Sequence, residues 1–323
     1  MPNVLILGGS GYLGLALGKS LLRAGTYTVW GTARTPEKAK NILSNEIFPI
    51  EEDITDPTKL AAIIIENSIN IVVDASAAYE KAGSILAGVI QAATEREETL
   101  KKDNIVGPKL GFVYTSGAWN HGSQKTRIND LLPPASAYSQ DKPATASSWR
   151  PAHEQAILAA RDKLDVAILR PHTIYGRGSW VFGTWWGALA EAAKAKSGTS
   201  SPISIPGDGK AVPGLVHVDD VAAGFHAAID RIDGRLGSWP IFDLVTETVS
   251  LVEILEAAKV VLGIEPEVPL EYTGTQGNVF LEALGLVSKA DSSRARTVLG
   301  WSPKRTEFLL NLPVYVKAWQ ASQ

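Results

Sequence analysis

The tightest constraint on the fold lies at the start of the chain, where Val4-Leu5-Ile6-Leu7 runs straight into Gly8-Gly9-Ser10-Gly11-Tyr12-Leu13-Gly14. A short, wholly apolar run reads as a buried strand, and a glycine-rich turn that follows it and opens a helix points to a dinucleotide site. Gly8 permits a tight turn, and Gly11 lets backbone N–H groups approach a pyrophosphate at the helix N-terminus. Gly14, with Ala16 and Gly18 beyond it, lets that helix lie close against a sheet. Ser10, Tyr12 and Leu13 complete the candidate cofactor turn. A plain βα turn would use the same glycines, but the placement directly behind the first strand favours the nucleotide reading.

The end of the second strand discriminates between cofactors. An NAD site usually has Asp or Glu there to accept from the ribose 2′-hydroxyl. Here the strand ends Val29-Trp30-Gly31-Thr32-Ala33-Arg34 with no carboxylate, and Lys38 follows. A guanidinium suits a 2′-phosphate, so the expected cofactor is NADP(H).

Apolar runs at 4–7, 27–32, 69–74, 111–115 and 166–170 alternate with helical patterns at 12–24, 57–66, 84–101 and 151–163. That alternation predicts an α/β fold, a doubly wound parallel Rossmann sheet covered on both faces. After Arg170 the pattern changes: 176–212 is rich in Gly, Trp, Ser and Pro, and 197–201 reads as a solvated loop. A strand–helix pair is expected at 215–229, a strand at 241–245 and a helix at 251–262. The expected division is a Rossmann domain of 1–172 and 213–247 with a smaller, discontinuous C-terminal substrate lobe of 173–212 and 248–323.

Composition narrows the class of function. A net charge of −3 leaves no footprint for nucleic acid or an anionic membrane. No apolar run reaches the ~18 residues of a membrane helix. The chain has no cysteine, which excludes disulfides and thiolate chemistry, and its five histidines show no metal-ligand spacing, so no metal site is expected. Met1-Pro2-Asn3 leads directly into the first strand without a secretory pattern, so a cytoplasmic protein is expected.

Six landmarks then follow in a fixed order: the Gly8–Gly14 turn, Glu52-Asp53-Ile54, Phe112-Val113-Tyr114-Thr115-Ser116-Gly117, Leu169-Arg170-Pro171-His172-Thr173-Ile174-Tyr175-Gly176, Val216-His217-Val218-Asp219-Asp220-Val221-Ala222 and Leu299-Gly300-Trp301-Ser302-Pro303. With these the chain resembles the extended short-chain dehydrogenase/reductases, the NAD-dependent epimerase/dehydratase-like family, over nearly its whole length. The resemblance implies that Asp53 and Ile54 hold the adenine and that Ala75, Ser76 and Ala77 lie along the ribose and pyrophosphate. It places Pro171 and Ile174 near the nicotinamide and implies a monomer or homodimer. Asp219 reads as a helix N-cap, since an apolar-periodic helix begins at Val221.

The family's chemistry uses a Ser or Thr on the substrate oxygen, a Tyr for the proton and a Lys one helical turn on that stabilises the phenolate. A phenol needs such a neighbour, because its pKa near 10 makes it a poor base at neutral pH. Thr115 and Ser116 are the candidate hydroxyls, with Gly117 where the family often has its hydroxyl. Tyr138 and Lys142 match the pair literally, although Pro143 follows at once and opposes a helix there. Aligning instead on Glu154-Gln155-Ala156-Ile157-Leu158 puts Arg150 at the Lys position and Ala146 at the Tyr position.

Many relatives act on nucleotide sugars and place an Arg before the His-Val-Asp segment to hold the diphosphate. Here Pro213 stands near that place, with Arg177 and Lys210 as possible substitutes. The aromatic stretch Ser179-Trp180-Val181-Phe182-Gly183-Thr184-Trp185-Trp186 suits an apolar pocket or simply the packing of the small lobe. The leading expectation is NADP(H)-dependent oxidoreduction of a carbonyl or alcohol on an apolar small-molecule substrate. The alternatives are an epimerase, dehydratase or isomerase that recycles its cofactor, and a non-catalytic NADP-sensing protein.

Overall fold

Seven parallel strands carry the fold. We label them β1 (Asn3–Leu7), β2 (Thr28–Ala33), β3 (Phe48–Glu51), β4 (Ile71–Asp74), β5 (Leu110–Thr115), β6 (Leu164–Pro171) and β7 (Ile241–Leu244). The structure, a computed structural model, describes residues 1–138, 141–195 and 201–323. The loop expected at 197–201 lies, apart from Ser201, outside the described residues. Spatial order is β7-β6-β5-β4-β1-β2-β3. Val4 of β1 faces Val29 on one side and Ile71 on the other, so the direction of chain winding reverses beside β1. Sheets of this kind open a crevice at the strands' carboxyl ends at that reversal.

Strands buried on both faces need helices on both faces. On one side, Leu13, Leu17 and Leu21 of α1 (Tyr12–Ala24) pack with Val221 and Phe225 of the helix Val218–Ile229. On the other, Leu60 and Ile64 of the helix Pro57–Glu66 meet Ile85 and Val89 of the helix Ala82–Lys102. The Pro57–Glu66 helix starts where Asp56 accepts from the Thr58 and Lys59 amides and Pro57 occupies the first turn. A cap of this kind is worth about 1 kcal/mol.

A third core joins Phe182, Trp185 and Trp186 to Leu255, Phe308 and Trp319. The expected small-lobe piece 248–323 does not lie wholly there, because Ala295, Leu299 and Trp301 pack with the sheet's α1-side core. Edge strand β3 was not legible from periodicity. It is four residues long, contains Pro49 and leaves Phe48 51% exposed, stacked on Trp30 at 4.8 Å. Proline is tolerated at an edge, where one side of the strand makes no ladder bonds.

Asp219 is not the N-cap of the helix Val218–Ile229. His217 caps it, with Nδ1 accepting from the Asp219 amide, while the Asp219 carboxylate pairs with Arg177 at 2.6 Å. No helix among the described residues is long and apolar enough to cross a membrane.

Candidate active site

A cleft of about 470 Å³ opens at the carboxyl ends of the strands. Its floor is the Gly8–Gly14 turn. Gly8 adopts φ +79° and donates its N–H to Thr32 Oγ1 at 3.0 Å, and a Cβ there would lie 2.8 Å from the Ala75 carbonyl oxygen. The Gly11 amide closes the turn on the Gly8 carbonyl at 2.9 Å. A Cβ at Gly14 would approach that same carbonyl oxygen to 2.2 Å. Helix α1 has no side-chain cap, so its first amides lack the partner that most helices carry and meet the cleft at the positive end of the helix dipole. An uncapped helix N-terminus reached by glycine alone fits a pyrophosphate.

Along one arm of the cleft lie Thr32, Ala33, Arg34 and Lys38 from the β2 end, then Asp53 and Ile54 beyond β3. Arg34 and Lys38 are exposed, and neither forms an ion pair among the described residues. Asp53 Oδ1 accepts from the amide and hydroxyl of Thr55 at 2.9 and 2.7 Å, which holds its carboxyl below the usual range. Ala75, Ser76 and Ala77 follow β4, where the Asp74 carboxylate, buried and pushed up by that burial, anchors the Ser76 amide and hydroxyl.

The other arm is built from the β5 and β6 ends. Thr115, Ser116, Gly117, Ser147, Arg150, Pro171, His172, Thr173 and Ile174 line it. The two expected hydroxyls have different surroundings. Ser116 is buried and its Oγ donates to Glu154 Oε1 at 2.5 Å, within a cluster in which Asn120 and Arg170 also hold Glu154. Thr115 Oγ1 is buried with no hydrogen-bond partner. Arg150 Nη1 donates to the Thr115 carbonyl at 3.0 Å, and its guanidinium lies 5.1 Å from the ring centroids of both Tyr79 and Trp149. Stacking between two rings and a carbonyl fixes that cation in the cleft wall.

The sequence of the chain matches the profile of the NAD dependent epimerase/dehydratase family over residues 4–238. The chain belongs to this family. No curated protein matches it in a sequence comparison. Among solved structures it is similar to dTDP-glucose 4,6-dehydratase from Bacillus anthracis in complex with NAD, at 19% identity and a TM-score of 0.70, covering 100% of this chain and 98% of that one. It is similar also to UDP-glucose 4-epimerase from Thermotoga maritima with UDP-glucose, at 19% identity and a TM-score of 0.71, covering 99% of each chain. The same enzyme from Bifidobacterium longum, in complex with NAD+ and UDP, matches at 20% identity and a TM-score of 0.68 over 99% of this chain and 98% of that one.

Against the catalytic pattern that the family resemblance implies, the chain departs at the Tyr–Lys pair as well as at Gly117. Tyr138 is 79% exposed, and neither Tyr138 nor Lys142 lines the cleft or belongs to a helix. The intervening Ser139 and Gln140 lie outside the described residues. The literal pair is therefore not brought to the cofactor arm, in keeping with Pro143, which directly follows Lys142 and opposes a helix there. Arg150, at the start of the helix Arg150–Ala159, is brought there instead. The aromatic stretch divides: Phe182, Trp185 and Trp186 are buried in the lobe, whereas Trp180, 57% exposed, and Val181 face the cleft.

Proposed function

We propose that the chain is an NADP(H)-dependent oxidoreductase acting on a carbonyl or alcohol of an apolar small molecule. The observation that carries this reading is the placement of cations along the cleft. Arg34 and Lys38 stand at the β2 end, where a 2′-phosphate would lie, and no carboxylate follows Ala33 there. Past Arg150 the lining has no further Lys or Arg and is walled by Trp119, Trp180 and Val181, with Phe280 against both tryptophans at 6.4 and 6.3 Å. Arg177 is engaged by Asp219 and Lys210 is off the lining, so neither offers a clamp to a sugar diphosphate among the described residues.

Bound in the cleft, a nicotinamide would supply or accept a hydride. On this reading the Gly turn and the α1 amides hold the pyrophosphate, Asp53 and Ile54 the adenine, and Ala75, Ser76 and Ala77 the adjoining ribose. Pro171 and Ile174 border the nicotinamide, Arg150 anchors its ribose, and Thr115 faces the substrate. Replacing Arg34 with Ala is expected to weaken NADPH about tenfold and leave NADH unchanged, as the loss of one charge-assisted pair implies. Tyr138→Phe is expected to leave turnover within about twofold, as befits a solvated surface side chain.

The second reading, an epimerase or dehydratase with internally recycled cofactor, is favoured by the similar enzymes that act on nucleotide sugars. Absorbance at the reduced-nicotinamide band separates the two. Consumption of NADPH with aromatic or aliphatic aldehydes and ketones supports the oxidoreductase. Conversion of UDP-glucose with no absorbance change would overturn it in favour of the second reading.

A further inference from the structure

Buried polar side-chain atoms without a partner are rare, because each forfeits about 1–3 kcal/mol. Among the described residues only two such atoms belong to residues that line the cleft, Thr115 Oγ1 and His172 Nε2. They sit at the ends of neighbouring strands. β5 and β6 pair Thr115 with Leu169, and His172 follows three residues on, just past Pro171. Both residues line the cleft.

We propose that His172, with its ring proton on Nε2, donates a hydrogen bond to the reacting oxygen of the substrate, in a site whose tautomer is fixed by Ser288. The proposal rests on the oxidoreductase reading for the identity of that oxygen. His172 Nδ1 lies 3.1 Å from Ser288 Oγ. Ser288 is itself buried, and among the described residues its hydroxyl has no other hydrogen-bond partner; an O–H directed to Nδ1 leaves no buried donor unpaired on Ser288 and keeps the ring hydrogen on Nε2.

The ring's surroundings keep it a donor rather than an acid. His172 is 7% exposed, and burial pushes its pKa down to about 4. The charged and titratable groups that act on it are Asp243 of β7, which favours protonation, and His121, which opposes it. At neutral pH the ring is therefore an uncharged N–H donor. Such a group polarises a carbonyl and stabilises an alkoxide without giving up its proton. His172 adds a donor at this place, where Gly117 brings no hydroxyl, Ser116 is committed to Glu154, and of the two phenols that line the cleft Tyr12 donates to the Gly176 carbonyl while Tyr79 lies against Arg150.

The tautomer can be read without turnover. In protein labelled with ¹⁵N-histidine, the His172 signals, identified by their loss in His172→Gln, are expected to report Nε2–H throughout about pH 6–8. Addition of NADPH with benzyl alcohol should shift Nε2. A proton on Nδ1, or a ring that titrates near the ordinary value of about 6.5, would overturn the proposal. With benzaldehyde as substrate, His172→Phe should lower kcat on the order of 10²–10³ with NADPH affinity unchanged, as for loss of one preorganised donor. His172→Gln, whose side-chain amide ends near the Nε2 position, should restore kcat to within about tenfold of the unaltered protein. A kcat for His172→Phe within about twofold of the unaltered protein would also overturn it. A protein that binds NADPH yet reduces no aldehyde would count against the oxidoreductase reading, while the tautomer would still test the donor.

Discussion

Gly14→Val is expected to raise the dissociation constant for NADPH by about 100-fold or more, equivalent to roughly 3 kcal/mol. The reason is steric and local. A Cβ at residue 14 would lie 2.2 Å from the Gly8 carbonyl oxygen, 3.0 Å from its carbonyl carbon and 3.1 Å from the Gly9 Cα. All three are backbone atoms of the turn, so no side chain can rotate away to relieve the contact. Helix α1 must move outward, and its uncapped amides move with it. Gly83→Ala is the matched control: it too is a helical glycine, but a Cβ there meets nothing within 4 Å. It should leave NADPH binding unchanged and add about 0.5–1 kcal/mol of stability from helix propensity. Calorimetric titration of both variants checks the contrast, and Gly14→Val binding like the unaltered protein would contradict the role of the turn.

Arg170→Leu is expected to cost about 3–5 kcal/mol of stability and on the order of 10 °C in Tm. Arg170 is fully buried and forks onto both carboxylate oxygens of Glu154, with Asp243 3.9 Å from its other terminal nitrogen. Removing the guanidinium leaves a buried Glu154, also fully inaccessible, without its cation. Among the described residues Asp243 keeps only His121 as an ion-pair partner, at 2.9 Å. Isolated buried charges of this kind are far costlier than the pair is valuable. The double variant Arg170→Leu with Glu154→Leu should therefore recover part of the loss. Urea unfolding of the two variants measures this, and a single-variant loss below about 1 kcal/mol would contradict the stabilising role given to the cluster.

What could be read in advance was whatever acts locally along the chain. The glycines of the first turn do a steric job set by their immediate neighbours, and Gly8, Gly11 and Gly14 line or shape the cleft as their spacing implies. The six ordered landmarks identified the family, and the structure has the parallel sheet that family resemblance implied. The illegible parts depend on partners distant in sequence. Ser116 could not be told from Thr115 by its type, because Glu154, 38 residues away, engages one hydroxyl and not the other. Trp180 and Trp185 belong to the same aromatic run, yet helical phase sends one to the cleft and buries the other in the lobe. Tyr138 and Lys142 had the right spacing for a helix, but neither belongs to a helix among the described residues. Strand β3 lacked an apolar pattern because an edge strand needs only one neighbour.

The central claim is that the cleft holds a dinucleotide by its pyrophosphate at α1 and its 2′-phosphate at Arg34 and Lys38. Calorimetric titration of the unaltered protein with NADPH and then with NADH tests it most directly. The account predicts saturable binding of both, with NADPH favoured by about tenfold or more. A preference for NADH would contradict the role of Arg34, and no saturable binding of either would contradict the cleft itself.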